Sequence, residues 1–254
     1  LERKGQKIAS SSVYNAPSQR FNRLLQKLKT KYKARDRHVI ECLGTLIPEQ
    51  GVILDIGAHL GGYAKEFARL YRGNVTVHCF EPSPYNLSIL KEVVGNLNNV
   101  HINEFALSDK VGEVDLYLPI KKSGHLGTGL AHFGLEQARN YITERVQTVP
   151  LDSYTTENEL SRLDFVKCDV EGAELLVLQG GVETIRRFHP TLYVEIGEDY
   201  LARMGHHAKD VFNFLRSVDY EPYQMDLKSC VPTRVNGYQG RAKNYLFKHR
   251  NSDQ

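Results

Sequence analysis

The stretch Val52 to Tyr63, VILDIGAHLGGY, constrains the fold of this chain more than any other segment. An apolar run ends in Asp55, a glycine-bearing turn follows, and Tyr63 to Ala68 begins a helical pattern. A strand, a tight turn and a helix are therefore predicted, the opening unit of an α/β fold. Gly57 and Gly61 let the backbone approach a ligand closely at the carboxyl end of the strand. A pyrophosphate cradle would need G-x-G-x-x-G, yet Ala58 replaces the second glycine and the glycines fall at Gly57, Gly61 and Gly62. The loop suits a nucleoside-like ligand without a phosphate. The competing reading is a plain structural βα turn.

The same alternation continues downstream. Asn74 to Phe80 (NVTVHCF) reads as a second strand ending in Glu81-Pro82. An acid at that distance from the glycine turn is placed to accept both hydroxyls of a ribose. Pro84 to Gly95 reads as a helix and Val100 to Phe105 as the third strand. It is followed by a turn, Ala106-Leu107-Ser108-Asp109, that could grip an adenine. Gly112 to Leu118 alternates like a strand. Ser123 to Gly134 carries four glycines and reads as a substrate lid or disorder, with His125 and His132 expected to be solvated. Val146 to Leu151 is expected as a short edge strand, with a turn at Asp152-Ser153. Leu163 to Cys168 is the fourth core strand and Ala173 to Arg187 the next helix. A fifth strand, Thr191 to Ile196, carries Glu195 near its end. A helix at Asp210 to Val218 and a last short strand at Asn244 to Lys248 complete a doubly wound α/β sheet with helices on both faces. Ligands of such a sheet bind at the carboxyl ends of its strands.

Charge divides the chain unevenly. The whole carries +3, but residues 1–37 hold eleven Lys or Arg and two acids, a net of +9, which leaves −6 for the rest. Residues 1–50 are accordingly set apart as a basic arm with cap helices, and 51–254 as the ligand-binding domain. A helix from Arg20 to Lys33 places Phe21, Leu24, Leu25, Leu28 and Tyr32 on one face. That face is expected to pack on the domain with the basic face in water. The alternative is a helix lying on an acidic partner, nucleic acid or an anionic surface. No stretch approaches the roughly 18 apolar residues of a membrane span, and no signal peptide is visible. Cys42, Cys79, Cys168 and Cys230 show no C-x-x-C spacing and read as buried thiols of a reducing, cytoplasmic setting. The oligomeric state is left open.

Four segments, VILDIGAHLGGY, FEPSPYNL, LDFVKCDVEGAE and HPTLYVEI, resemble in order and spacing the FkbM family of S-adenosylmethionine-dependent methyltransferases. The resemblance spans Gly51 to Glu198 and is most specific at K-x-D-x-E-G-x-E, Lys167 to Glu174. It implies a Rossmann-like class I fold, a mostly parallel seven-stranded sheet whose last strand is antiparallel. It also implies S-adenosyl-L-methionine as donor and O-methylation of a hydroxyl, with a carbohydrate or glycosylated small molecule as acceptor. Carried over by position, Asp55, Gly57, Ala58 and Gly61 would line the methionine end, Glu81 with Pro82 the ribose, and Ala106, Leu107 and Ser108 the adenine. Asp169, Glu171 and Glu195 would face the transferred methyl and the acceptor. His59 is tied to no chemistry beyond packing over the ligand.

Methyl transfer to oxygen is an in-line displacement, in which alignment alone can supply roughly 7 to 11 kcal/mol. The hydroxyl proton becomes acidic as the new bond forms, so a carboxylate can take it late. Asp169 is the candidate base; the structural reading is an acid satisfying backbone N–H groups at the next helix start. Asp169, Glu171 and Glu195 could instead supply oxygen ligands to Mg²⁺ or Ca²⁺. The base without a required metal is the preferred reading. Lys167 is expected to pack against an acid or the acceptor.

Two other functions compete. An RNA 2′-O-methyltransferase would use the basic arm, but the lysine that its catalytic set needs is missing between residues 170 and 194, and no aromatic series accompanies the basic residues. Nucleic acid is therefore not favoured. A non-catalytic nucleoside-binding module would keep Gly57 and Glu81 but has no need of the three acids.

Overall fold

The computed structural model describes residues 14, 16–32, 37–121, 125–134, 140–240 and 243–251. Among the described residues, α1 (Pro17–Tyr32) and α2 (Arg37–Gly44) precede β1 (Val52–Ile56). The chain then alternates through α3 (Gly62–Phe67), β2 (Thr76–Phe80), α4 (Pro84–Val94) and β3 (Val100–Asn103). β4 (Ala106–Ser108), β5 (Gly112–Pro119) and β6 (Tyr141–Pro150) leave the main sheet. α5 (Leu151–Glu157), β7 (Phe165–Cys168), α6 (Glu174–Gln179), α7 (Val182–Phe188) and β8 (Thr191–Ile196) return to it. α8 (Glu198–Leu201), α9 (Ala208–Ser217), β9 (Tyr220–Asp226), β10 (Val231–Arg234) and β11 (Lys243–His249) follow.

The main sheet runs β10-β9-β11-β8-β7-β1-β2-β3. Its pairs are parallel from β3 across to β8, and β11 is antiparallel to both β8 and β9. β1 sits at the crossover point with neighbours on both sides. Strands covered on both faces read as near-continuous apolar runs, as VILDI does apart from Asp55. Ile53 packs with Leu43, Phe67, Leu90 and Val94 on one face. Leu54 packs with Tyr154, Leu178, Ile185 and Leu215 on the other. Pro84 opens α4, where its missing N–H costs nothing. α9 starts at His207, whose N–H donates to Asp210 Oδ2 at 2.8 Å in a capping box.

The structure corrects several expectations. The sheet has eight strands rather than seven, because β10 pairs with β9 across a turn in which Asp226 accepts from Lys228 N and Ser229 Oγ. Pro232 hides this strand in the sequence and is tolerated because β10 lies at the edge. Ala106–Ser108 is not a turn but a strand of a second, three-stranded sheet, β4-β6-β5. The expected edge strand Val146–Leu151 belongs to β6, the central strand of that sheet, and Leu151 already opens α5. Asp152 lies not in a free turn but in α5, where its carboxylate accepts from Glu183 N and Thr184 N at the start of α7. The single helix expected over Ala173–Arg187 is broken at Gly180-Gly181. A Cβ on Gly180 would lie 1.9 Å from Ser108 O, so this break is what lets β4 pass. His132 is buried and bridged to Tyr117 rather than solvated.

Cys42 and Cys230 form a disulfide, whereas Cys79 and Cys168 are the buried thiols expected. A partner 188 residues away cannot be read from spacing, and the inference to a reducing compartment keeps only two of its four supports. α1 also departs from expectation, since Phe21, Leu24, Leu25 and Leu28 are exposed. Among the described residues, no helix is long and apolar enough to cross a membrane.

Candidate active site

The carboxyl ends of β1 and β7 meet so closely that only glycine fits between them. Gly57 takes φ +77, and a Cβ there would lie 1.9 Å from Asp169 O. Its N–H and that of Ala58 both donate to Phe80 O at 3.0 Å, which ties the turn to the end of β2. His59, also left-handed at φ 53, donates its N–H to Glu81 Oε2 at 2.8 Å. The Glu81 Oε1 atom accepts from Ser83 N at 2.9 Å and Asn86 Nδ2 at 3.2 Å. Burial pushes this carboxyl up to about 7 against the pull of those donors. Three donors fix its orientation and still leave it acceptor capacity.

A pocket of about 740 Å³, open mouth included, begins at this loop. Gly57, Glu81, Pro82, Ala106 and Leu107 line it, and Asp169 and Glu171 close one end. Asp55, Ala58, Gly61, Ser108 and Glu195 are not on its wall. Asp55 is fully buried behind the loop, 3.2 Å from Lys167 Nζ. Ala58 packs in the core, and a Cβ on Gly61 would meet Leu90 Cδ1 at 2.7 Å. Ser108 Oγ donates to Asp109 Oδ1 at 3.1 Å. The sequence reading missed Asn86, Leu116, Thr128 and Phe133, which also line the pocket. Thr128 had a signal, since it lies in the glycine-rich segment read as a lid. His59 Nε2 hydrogen-bonds its Oγ1 at 3.0 Å, so the glycine turn and that segment meet over the pocket.

The motif Lys167 to Glu174 builds the acidic end. Lys167 Nζ lies 3.2 Å from Asp55 and 3.5 Å from Asp169, donates to Gly57 O at 3.3 Å, and sits over the Tyr63 ring. Burial opposes its charge, but the two carboxylates outweigh burial and hold the ammonium above the usual lysine range. Glu174 Oε1 accepts from Val170 N and Gly172 N, both at 3.1 Å, and so shapes the turn from within. Gly172 is required there, because a Cβ would lie 2.3 Å from Tyr200 O. Glu171 is held in the left-handed region at φ 56, an uncommon state for a non-glycine residue.

Carboxylate oxygens of Asp169, Glu171 and Glu195 all lie within 4.8 Å of one another. Burial, then the Asp169 charge, pushes Glu171 up to about 7 and Glu195 up to about 8. Glu171 Oε2 is buried with no hydrogen-bond donor among the described residues. Three acids this close share protons or share a cation, and an all-oxygen set fits a hard divalent ion. The pocket thus joins a hydrogen-bonded carboxylate at one end to a donor-poor, acidic cluster at the other.

Residues 55–222 match the family model described as the methyltransferase FkbM domain. Over 160 residues the chain is 31% identical to the 2-O-methyltransferase NoeI of Sinorhizobium fredii (strain NBRC 101917 / NGR234), covering 59% of this chain and 65% of that protein. It therefore spans just under two-thirds of that relative. The solved structure of the methyltransferase FkbM from Methylobacillus flagellatus KT is 16% identical and gives a TM-score of 0.52, over 79% of this chain and 44% of that one. That likeness is one of fold.

Proposed function

Starting from the chain's membership of the FkbM methyltransferase family, we propose that it methylates a hydroxyl of a carbohydrate, with S-adenosylmethionine as donor and Asp169 as proton acceptor. The observation that carries this reading is one pocket lined by Glu81 on one side and by Asp169 and Glu171 on the other, with the Glu195 carboxylate within 4.8 Å of those two acids. S-adenosylmethionine supplies a methyl group made electrophilic by its sulfonium. The close-packed turn at Gly57 admits its backbone-hugging end, Glu81 and Pro82 take the ribose hydroxyls, and Ala106 and Leu107 wall the adenine. Asp55 supports the loop from behind through Lys167, while Ala58 and Gly61 set its curvature.

In the transfer, the acceptor oxygen bonds to the methyl carbon as the carbon–sulfur bond breaks, and the hydroxyl proton passes to Asp169. Glu195 holds its own proton near neutral pH, and Lys167 lies 3.5 Å from the Asp169 carboxylate. Asp169 is therefore the member of the cluster assigned to receive the acceptor's proton. Sugar hydroxyls suit such a cluster, since carboxylates accept hydrogen bonds strongly. The 2-O-methyltransferase relative supports an oxygen acceptor.

The same three acids support a second version, in which Mg²⁺ held by Asp169, Glu171 and Glu195 polarises the hydroxyl. Transfer of labelled methyl to a panel of sugars, RNA and phenols tests the proposal. Label on sugars supports it, and label on RNA alone overturns the carbohydrate assignment.

A further inference from the structure

α1 is amphipathic, but it is mounted the wrong way round for a cap. A surface helix ordinarily buries its apolar stripe and wets its polar face. Here the polar side grips the domain. Arg23 lies 3.2 Å from Glu92 of α4, Lys27 pairs with the same carboxylate, and Tyr85 Oη donates to Gln26 Oε1 at 3.2 Å. Lys65 Nζ donates to Thr30 O at 2.7 Å, and Gln19 is buried. The stripe of Phe21, Leu24, Leu25 and Leu28 faces outward, with Phe21 63%, Leu24 50% and Leu28 42% exposed.

We propose that this face of α1 docks on an anionic lipid surface, with the helix lying in the plane of the interface. The helix holds five Lys or Arg and no acid. At 100° per residue, exposed Arg20 and Lys29 fall on opposite flanks of the stripe, so cations border the apolar surface on both sides. That pattern matches a bilayer interface, where acyl chains receive Phe and Leu and lipid phosphates receive the cations. Its 16 residues extend only about 24 Å, enough to lie along the surface but not to cross it. A second copy of the helix is a poorer occupant, because facing stripes would bring two acid-free, basic helices together. RNA would satisfy the cations but leave the Phe21 ring and the leucines without an apolar partner.

The chain contains no tryptophan, so Phe21→Trp installs a single indole reporter within the stripe. Its emission should shift to the blue on adding phosphatidylcholine vesicles with roughly one-third phosphatidylglycerol, and stay unmoved with phosphatidylcholine alone. The unsubstituted chain should co-sediment with the anionic vesicles, and Leu24→Ser with Leu28→Ser should weaken that binding about tenfold or more. The melting temperature should hardly change, because these side chains touch little of the core. Three results would overturn the proposal. These are no co-sedimentation of the unsubstituted chain with either vesicle, a blue shift with RNA but not lipid, or a blue shift that follows protein concentration alone and so reports self-association.

Discussion

The two ends of the pocket both bury carboxylates, yet they are supplied with hydrogen-bond donors very differently. Glu81 receives three donors from its own chain, His59 N, Ser83 N and Asn86 Nδ2. The cluster at the other end crowds three carboxylates within 4.8 Å and, among the described residues, leaves Glu171 Oε2 without a donor. Glu174, two residues beyond the glycine of that turn, has the donors that Glu171 lacks, and it serves the turn. A carboxylate satisfied from within holds a shape. One left short of donors stores a demand that a substrate hydroxyl, a proton or a cation can meet.

The largest test of that contrast is Asp169→Asn, which keeps the shape and removes the carboxylate proposed as the base. Turnover should fall roughly 10²- to 10⁴-fold with donor affinity nearly intact, as read by labelled-methyl transfer beside calorimetry. Full activity in this variant would leave positioning as the source of catalysis. Glu81→Ala should act in the opposite way. It should weaken S-adenosylmethionine binding by about 1 to 3 kcal/mol, since a hydrogen-bonded charge is lost. Unchanged affinity would remove Glu81 from the donor site.

A smaller effect separates the ends by pH. Glu195, raised from 4.5 to about 8, binds a proton in the folded state that the unfolded chain has released, so stability drops as pH climbs through that window. Glu195→Gln cannot ionise. Its melting temperature should match the parent's near about pH 5 and exceed it by roughly a few degrees near about pH 9. A gap that stays constant with pH would mean that the crowding is relieved in solution. The smallest expected change is that on chelation. With Asp169 as base, EDTA should leave turnover almost untouched, whereas loss restored by Mg²⁺ would assign the donor-poor end to a metal.

Much of this contrast is legible in the sequence alone, and for local reasons. An apolar run closed by Asp55 and glycines can hardly be other than a strand and turn. K-x-D-x-E-G-x-E puts Asp169 and Glu171 on one short loop, and Glu195 falls at the end of the adjacent parallel strand. What the sequence hid depends on distant partners. β4 exists only because β6 lies beside it, 42 residues away at Ala106 and Thr148. Gly180 breaks a helix for the sake of Ser108 O, a contact with no trace in local periodicity. Asn86 carries no periodic signal for its bond to Glu81. The stripe on α1 was legible as a stripe, but which side met the domain was decided by Glu92, Tyr85 and Lys65.

The bond between Cys42 and Cys230 turns about three-quarters of this chain into a covalent ring. Every strand from β1 to β9 and both ends of the pocket lie on the stretch that it closes. A protease that cuts the backbone once between those cysteines therefore releases nothing, and the nicked chain travels as one species on a denaturing gel until a reductant is added. Thiols in solution would also open the ring in the uncut protein. Constraint on the unfolded chain worth about 2 to 5 kcal/mol would be lost, and α2 would be held to the β9–β10 hairpin by non-covalent contacts alone.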